Sequence, residues 1–155
     1  MAHDKVKARL AELGLELPVA AIPVAAYVPA ARDGKLVFTA GQLPLVNGTM
    51  AGVGKVDGEI TPERAKELAQ VCALNALAAV ETVANVNKIT KIVRVVGYVN
   101  GVPGFINAPI VVNGASELFL AIWGDGAKHA RSAVGIAELP LNSPIEIELT
   151  VEITD

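Results

Sequence analysis

Apolar and polar residues alternate strictly near the C-terminus, over residues 144–154. Every second position from 145 to 153 is Ile, Leu or Val, and the positions between them carry glutamate or threonine. Successive side chains of a strand point to opposite faces of a sheet, so this pattern predicts a strand with one buried and one polar face. The glutamates of the polar face, Glu146, Glu148 and Glu152, are then expected to face solvent or a subunit interface.

Shorter apolar runs predict four more strands. Residues 25–31 and 36–39 flank an Asp-Gly dipeptide that tolerates the positive φ of a tight turn, which predicts a hairpin. Residues 92–98 are apolar on both faces, as expected of a central strand, and residues 132–137 form a further short run.

Helical signals are strongest between residues 61 and 84. Thr61 predicts an N-cap, with Pro62 at the first helical position. Small residues recur along one face of this segment, which suits close packing on a sheet. A second helix is predicted over residues 115–123 and a short one over residues 3–13.

The order of these elements predicts an α+β fold. Strands, helix, strand, helix and strands follow one another, which favours a mostly antiparallel sheet with both long helices on one face. Residues 1–18 are expected to form a helical extension and linker appended to this domain. The chain is interpreted as one domain over residues 1–155.

Composition narrows the class of protein. Hydrophobic residues make up 52% of the 155 residues and charged residues only 19%, so a monomer leaves apolar surface that a second copy can cover. No apolar run reaches the roughly 18 residues of a membrane span, and the charged first ten residues do not resemble a secretory signal. We therefore expect a cytoplasmic homo-oligomer without membrane contact.

Charge and residue counts argue against several kinds of site. The net charge is −3 and the thirteen lysines and arginines form no basic block, which argues against nucleic-acid binding. Cys72, the single cysteine, lies in an apolar helical stretch and is interpreted as an inert core thiol. The only histidines, His3 and His129, are too few for a zinc site, so no metal is expected.

Arg131 is the candidate functional residue. It stands at the start of an apolar strand, where a guanidinium often points into a cleft, and its parallel donors suit a planar carboxylate. An ion pair between subunits, with a glutamate of the last strand, fits the same spacing, and both interpretations remain open. Nearby His129 is either a titrating residue of the cleft or a solvated loop residue.

Four stretches in this order resemble the RidA/YjgF family, also called the reactive intermediate deaminase or UK114 family. They are Tyr27 with Leu-Val-Phe-Thr-Ala-Gly-Gln-Leu-Pro at 36–44, Asn-Ala-Leu at 75–77, Val-Asn-Gly at 112–114, and Ala-Arg-Ser-Ala-Val at 130–134 leading to Glu148. The resemblance covers residues 19–155. It implies a chorismate-mutase-like two-layer sandwich that forms homotrimers, with one site in each cleft between subunits.

The resemblance also implies a reaction. Catalytic members of the family hydrolyse reactive enamines and imines, such as 2-aminoacrylate, to keto acids and ammonia without a cofactor. Arg131 matches the residue that holds the substrate carboxylate, and Glu146 matches the residue that holds the attacking water. Three further positions match residues that line or contact the cleft, namely Tyr27, Gly41 and Asn113. Backbone groups at Gly41 and Ala133 are expected to contact the imine nitrogen.

Several positions depart from the residues common in deaminase members. Ala40, His129, Ala133 and Gly135 stand where those members often carry Ser, Pro, Cys or Thr, and an acid. The chain therefore resembles a divergent subgroup. Three functions follow: an imine or enamine deaminase, a non-catalytic regulatory protein that binds a small carboxylate in the same cleft, and an endoribonuclease or translation inhibitor, which the acidic balance disfavours.

Overall fold

Two layers make up the protein in a computed structural model that describes residues 5–155. One layer is a five-stranded sheet, and the other consists of helices on one face of it. The helices are α1 (Lys5–Glu12), α2 (Pro62–Glu81) and α3 (Ala108–Trp123). The strands in chain order are β1 (Ala30–Asp33), β2 (Leu36–Thr39), β3 (Leu45–Val46), β4 (Thr49–Met50), β5 (Ile89–Val99), β6 (Ala130–Gly135) and β7 (Ile145–Ile153).

The strand order of the main sheet is β1-β2-β7-β5-β6, and β3 and β4 form a separate pair. Only the β5–β6 pairing is parallel, and the other three pairings of the main sheet are antiparallel. The predicted α+β sandwich with a mixed, mostly antiparallel sheet is therefore confirmed. Strand β6 lies at an edge, so one side of its backbone pairs with no strand among residues 5–155.

The two faces of the sheet differ as the alternation in β7 predicts. The five apolar side chains of β7 are at most 1% exposed and contribute to the core under the helices. On the opposite face Glu146, Glu148 and Glu152 are partly exposed, and no described helix covers them. Phe38 and Val134 on the same face are 44% and 43% exposed. This surface, called the open face below, therefore combines carboxylates with uncovered apolar side chains.

Helices α2 and α3 cross at a glycine. Thr61 caps α2 as predicted, because its Oγ1 accepts a hydrogen bond of 3.1 Å from the Arg64 backbone N–H. Gly114, in the middle of α3, lies against the α2 backbone, and a Cβ there would come within 2.9 Å of the Lys66 carbonyl carbon. The missing side chain therefore permits close packing of the two helices.

Two predicted boundaries were wrong by five residues or more, and the other strand and helix ends differ by three residues or fewer. Helix α3 begins at Ala108 rather than at 115, because Pro109 occupies its first turn, where the absent N–H costs nothing. Strand β1 begins at Ala30 rather than at 25, and its pairing with β2 starts opposite Thr39. Residues 24–28 are exposed and belong to no strand.

Helix α1 is not an appendage, so this part of the prediction was wrong as well. Val6 and Leu10 are at most 1% exposed and join the main core. The Val6 N–H donates to Asn87 Oδ1 at 2.8 Å, and Arg9 Nε donates to the Ala121 carbonyl at 2.9 Å. Positions 3 and 4 of the predicted helix lie outside the described residues. Within residues 5–155, no helix is long and apolar enough to cross a membrane.

Candidate functional site

Arg131 is the second residue of β6, and its side chain contacts α3. Its Nη1 donates to Asn113 Oδ1 at 2.7 Å and to Ser116 Oγ at 3.2 Å, and its Nη2 donates to the Pro109 carbonyl at 3.4 Å. Spacings of four and three residues place these partners on one face of the helix. Because α3 begins before residue 115, it includes Pro109 and Asn113, which supply two of the three contacts that hold the guanidinium.

One edge of this guanidinium remains available. A guanidinium has five N–H donors, and the contacts with α3 use both hydrogens of Nη1 and one of Nη2. Among residues 5–155, neither the Arg131 Nε–H nor the second Nη2 hydrogen has a hydrogen-bond partner, and no carboxylate pairs with the side chain. Nε and Nη2 form a parallel pair of donors, which is the arrangement that binds a carboxylate at two points.

A cavity of about 360 Å³ lies beside Arg131. Its lining includes three basic residues and a hydroxyl, and the complete set is Ser116, Leu120, Lys128, His129 and Arg131. His129 is partly buried, and its Nε2 lies 2.9 Å from Ser116 Oγ. It is therefore not a solvated loop residue, and it contacts a hydrogen-bond partner of Arg131. The lining is positively charged, which favours an anionic ligand.

Gly41 and Glu146 form a second group. Gln42 and Ile147 exchange two backbone hydrogen bonds, of 2.7 and 3.0 Å, which bring the loop after β2 onto the start of β7. A Cβ at Gly41 would lie 2.8 Å from the Glu146 Cδ and closer still to its Oε1. The glycine therefore permits the backbone to approach this carboxylate.

Thr39 and Asn75, which belong to the stretches that resemble the RidA/YjgF family, hold this loop by hydrogen bonds. Thr39 Oγ1 accepts a hydrogen bond of 3.0 Å from the Leu149 N–H, where the regular pairing with β7 ends. Asn75 on α2 donates to the carbonyls of Leu43 and Leu45 at 2.9 and 3.0 Å. These long-range contacts fix both ends of the loop that carries Gly41.

Glu146, on the open face, has a pKa above its ordinary value. Burial is the larger cause, and repulsion from the Glu148 carboxylate adds to it. Tyr98 stands opposite Glu146 on β5, and its hydroxyl donates to Glu148 Oε1 at 3.1 Å. Burial, followed by this hydrogen bond, raises the pKa of Tyr98. A rise in the pKa of a carboxyl brings it closer to the pH at which a group can serve as both proton acceptor and proton donor.

Sequence reasoning missed Ser116 and Tyr98. Ser116 lies at helical spacing from Asn113, but this signal could be read only once the helix was known to include both residues. Tyr98 lies in a run whose pattern predicts a central strand that is apolar on both faces, so no local signal indicates a role for its hydroxyl. Its neighbour across the sheet became identifiable only from the register between β5 and β7.

A single chain does not bring Arg131 and Glu146 together. Arg131 is aligned with Val95, and Val95 with Leu149, so the arginine lies on the helix-covered face while Glu146 lies on the open face. Two strand spacings and three residues separate the two backbones, which amounts to about 14 Å. Ala133, two residues after Arg131, shares the face of the arginine.

Tyr27 lies in the segment that precedes β1. It is 58% exposed and precedes Pro29, whose carbonyl accepts a hydrogen bond of 2.8 Å from the Ala40 N–H. The predicted site residues therefore separate into two groups. One contains Arg131, Asn113 and Ala133, and the other contains Gly41 and Glu146. Tyr27 lies two residues before Pro29, which bonds to the residue preceding Gly41.

The described residues contain no candidate metal centre. No group of three or more His, Cys, Asp or Glu within residues 5–155 could hold a metal ion. Cys72 is fully buried, and its thiol lies 3.8 Å from the Ile145 carbonyl. Burial raises the pKa of this thiol well above its ordinary value, which fits an unreactive core residue.

Comparisons with known proteins agree along the whole chain. A family model described as "YjgF/chorismate mutase-like, putative endoribonuclease" matches residues 7–153. Protein TCP17 of Trypanosoma cruzi is 33% identical over 159 aligned positions, which cover 100% of this chain and 98% of that protein.

Two crystal structures are similar over nearly their full length. The Agrobacterium tumefaciens protein Atu1372, of unknown function, is 39% identical with a TM-score of 0.91, over 99% of this chain and 95% of that one. A Shewanella oneidensis protein that carries the same endoribonuclease description is 30% identical with a TM-score of 0.90, over 96% of this chain and 99% of that one.

Proposed function

Because the chain belongs to the YjgF/chorismate mutase-like family, we propose that it is a cofactor-independent deaminase of small reactive imino acids. Its substrates are of the 2-aminoacrylate type, and its products are a keto acid and ammonia. The observation that carries this proposal is that the Arg131 guanidinium keeps one edge available for a ligand and that Arg131 lines a cavity. That edge offers a carboxylate two parallel donors, and the α3 contacts hold it in place before the ligand arrives.

The working unit of this proposal is a homotrimer with sites between subunits. Arg131 and Glu146 lie on opposite faces of one sheet, so a site that uses both must combine two copies of the chain. The open face supports such an assembly, since it holds exposed Phe38 and Val134 and a partly buried Glu146. In this arrangement one copy contributes Arg131, Asn113 and Ala133, and its neighbour contributes Tyr27, Gly41 and Glu146.

The chemistry needs few groups. Arg131 holds the carboxylate and so fixes the imine carbon at the position where water attacks. The enamine 2-aminoacrylate first tautomerises to its imine. Glu146 accepts a proton from the water as the new C–O bond forms and passes it to the imine nitrogen, which gives a carbinolamine. It then takes the hydroxyl proton of the carbinolamine and returns it to the nitrogen as the C=O bond forms, the C–N bond breaks and ammonia leaves. Backbone groups at Gly41 and Ala133 contact the nitrogen. Hydrolysis changes no oxidation state, and the imine carbon is already electrophilic, so the proposed reaction requires no cofactor.

The test generates 2-aminoacrylate enzymatically and follows the release of pyruvate with and without the protein. We expect the wild-type protein to accelerate release, and Arg131→Ala to lose at least about 100-fold of kcat/KM. Arg131→Lys keeps the charge but not the fork, so we expect partial activity. Arg64→Ala removes an exposed arginine on α2 and serves as the matched control. Equal release by wild type, Arg131→Ala and a blank would refute the deaminase.

A non-catalytic carboxylate binder is the second candidate. The specific observation in its favour is that Ala40, Ala133 and Gly135 offer no side-chain polar groups around the site. It predicts that pyruvate binds with a dependence on Arg131 while keto-acid release is not accelerated. Calorimetry and the release assay on the same preparation separate the two candidates.

RNA cleavage is the least favoured function. The net charge is −3, and seven lysine or arginine side chains of the described residues already pair with carboxylates. A protein that binds RNA through phosphates loses affinity steeply as salt rises. We expect no such slope in a salt titration with single-stranded RNA, and a steep slope would restore this candidate.

A further inference from the structure

The orientation of His129 determines which of its nitrogens carries the proton in the neutral ring. Nδ1 lies 2.7 Å from the Ala127 carbonyl, which can only accept a hydrogen bond, so Nδ1 is the donor. Nε2 then has a free lone pair directed at Ser116 Oγ, at 2.9 Å. The Phe119 ring packs nearly perpendicular to the imidazole, with centroids 6.1 Å apart, and limits its rotation.

Ser116 connects this imidazole to Arg131. Its hydroxyl donates its single hydrogen to His129 Nε2 and accepts a hydrogen bond from Arg131 Nη1 at 3.2 Å. A continuous chain of donors and acceptors therefore runs from the Ala127 carbonyl to the guanidinium. The chain reaches Arg131 on the Nη1 side, away from the Nε and Nη2 edge that is available for a ligand.

We propose that His129 and Ser116 are positioning residues for Arg131, and that they link the binding of the ligand carboxylate to the uptake of a proton. This inference rests on the proposed role of Arg131 as the carboxylate-binding group. When His129 is protonated, both ring nitrogens donate, so the Ser116 oxygen accepts from the imidazolium and from Arg131 together. The serine hydrogen then no longer bonds to the imidazole and is available to another acceptor.

Protonation also adds a positive charge to the lining of the same cavity. His129, Lys128 and Arg131 share this lining, and no carboxylate belongs to it. A carboxylate ligand is therefore held more tightly by the protonated form, while the hydrogen bonds of Arg131 with α3 keep the fork in place. The ligand that suits this arrangement is a small monocarboxylate or dicarboxylate that stays ionised at mildly acidic pH.

The charged groups around His129 do not supply an alternative partner. Asp125, in the short turn after α3, lies 3.7 Å from Lys128 Nζ. Glu117 on α3 pairs with Lys66 on α2 at 3.0 Å. Among residues 5–155 His129 forms no ion pair, so the nearest charge to which it is connected is Arg131 itself, through Ser116.

Calorimetry with pyruvate as the carboxylate probe tests this inference. Titrations run between about pH 5.5 and pH 8, the range in which histidine changes charge, in two buffers of different ionisation enthalpy that reveal proton uptake. For the wild-type protein we expect affinity to increase about fivefold to tenfold towards acid pH, with a proton taken up on binding. His129→Gln keeps a neutral acceptor for the serine, so its affinity should vary less than about twofold.

Two serine variants separate positioning from general structural damage. Ser116→Ala breaks the chain, so binding should weaken at every pH and lose its proton linkage. Ser116→Thr keeps the hydroxyl and should restore both properties. In the proposed site Glu146 of the neighbouring copy is a second ionisable group close to the ligand. Glu146→Gln is therefore measured in parallel, and we expect this variant to retain the proton linkage. Melting curves confirm that each variant is folded.

Each result counts for or against a defined statement. A pH dependence in His129→Gln equal to that of the wild type overturns the linkage, and so does its loss in Glu146→Gln alone. Wild-type binding that survives in Arg131→Ala overturns the proposed function, and absence of pyruvate binding overturns both. If binding requires Arg131 but ignores His129, the proposed function stands and only the proton linkage fails.

Discussion

Replacing Gly41 by alanine places a single methyl group against Glu146. The added Cβ would lie 2.8 Å from the Glu146 Cδ and 3.1 Å from its Cγ. Carbon atoms in contact normally stay about 3.5 to 4 Å apart, so the carboxylate must move by about 1 Å. A displacement of this size at a reacting group can reduce the rate by about 100-fold.

Stability should change little in Gly41→Ala. Gly41 is exposed, its φ lies outside the region reserved for glycine, and the group it meets is the movable end of a side chain. We expect a loss of less than about 1 kcal/mol in the free energy of unfolding. The effect should therefore appear in kcat for keto-acid release and not in the melting temperature.

Gly126→Ala is the matched control for this experiment. A Cβ at Gly126 would meet no atom within 4 Å, and its φ is also not positive. We expect wild-type kinetics for this variant. Wild-type kcat/KM in Gly41→Ala would refute the argument that the contact with Glu146 serves the reaction, whereas a large loss of stability would show that the glycine is needed for folding.

Three further predictions follow from the contacts described above. Gly114→Ala forces a Cβ against the Lys66 backbone and should lower the free energy of unfolding by about 2 to 4 kcal/mol, measured by urea titration. Asn75→Ala removes two hydrogen bonds from the loop of Gly41 and should cost about 1 to 2 kcal/mol, with reduced kcat/KM for keto-acid release. Glu146→Gln should raise the melting temperature at neutral pH while abolishing activity, because burial raises the pKa of Glu146 and so penalises its charged form.

The sign of the Glu146 effect gives its pH dependence. A raised pKa in the folded state stabilises the protein below the ordinary carboxylate range, and that contribution is lost as pH rises through the folded pKa. The uncharged glutamine avoids this loss. The difference in melting temperature between Glu146→Gln and wild type should therefore close in acid, and a difference that widens in acid would contradict the assigned cause. A wild-type unfolding energy in Gly114→Ala or Asn75→Ala would likewise contradict the packing or the loop contacts.

Local patterns were sufficient to predict the elements with strong periodicity. Strand β7 matched its predicted span closely because alternation reports directly which face is buried. The capped start of α2 was correct because Thr61 and Pro62 act within one turn. The start of α3 was missed because Gly114, in the middle of the helix, weakened the helical signal, and only the packing against α2 explains that glycine.

The candidate site depended on contacts that no local pattern contains. The approach of Gly41 to Glu146 results from the pairing of Gln42 with Ile147, which are far apart in the chain. The face on which Arg131 lies depends on the register between β5 and β6. The sequence therefore predicted which residue types matter, while their division into two groups on opposite faces required the structure.

Mixing two inactive variants tests most directly whether two copies of the chain share one site. Arg131→Ala retains Glu146 and Glu146→Gln retains Arg131, so a mixed oligomer contains some clefts with both groups intact. After subunit exchange of equal amounts, a shared site predicts recovery of about a quarter of the wild-type rate of keto-acid release, because one cleft in four then receives both wild-type residues. Mixed oligomers that are verified by mass spectrometry and release no more keto acid than either variant alone would contradict the account.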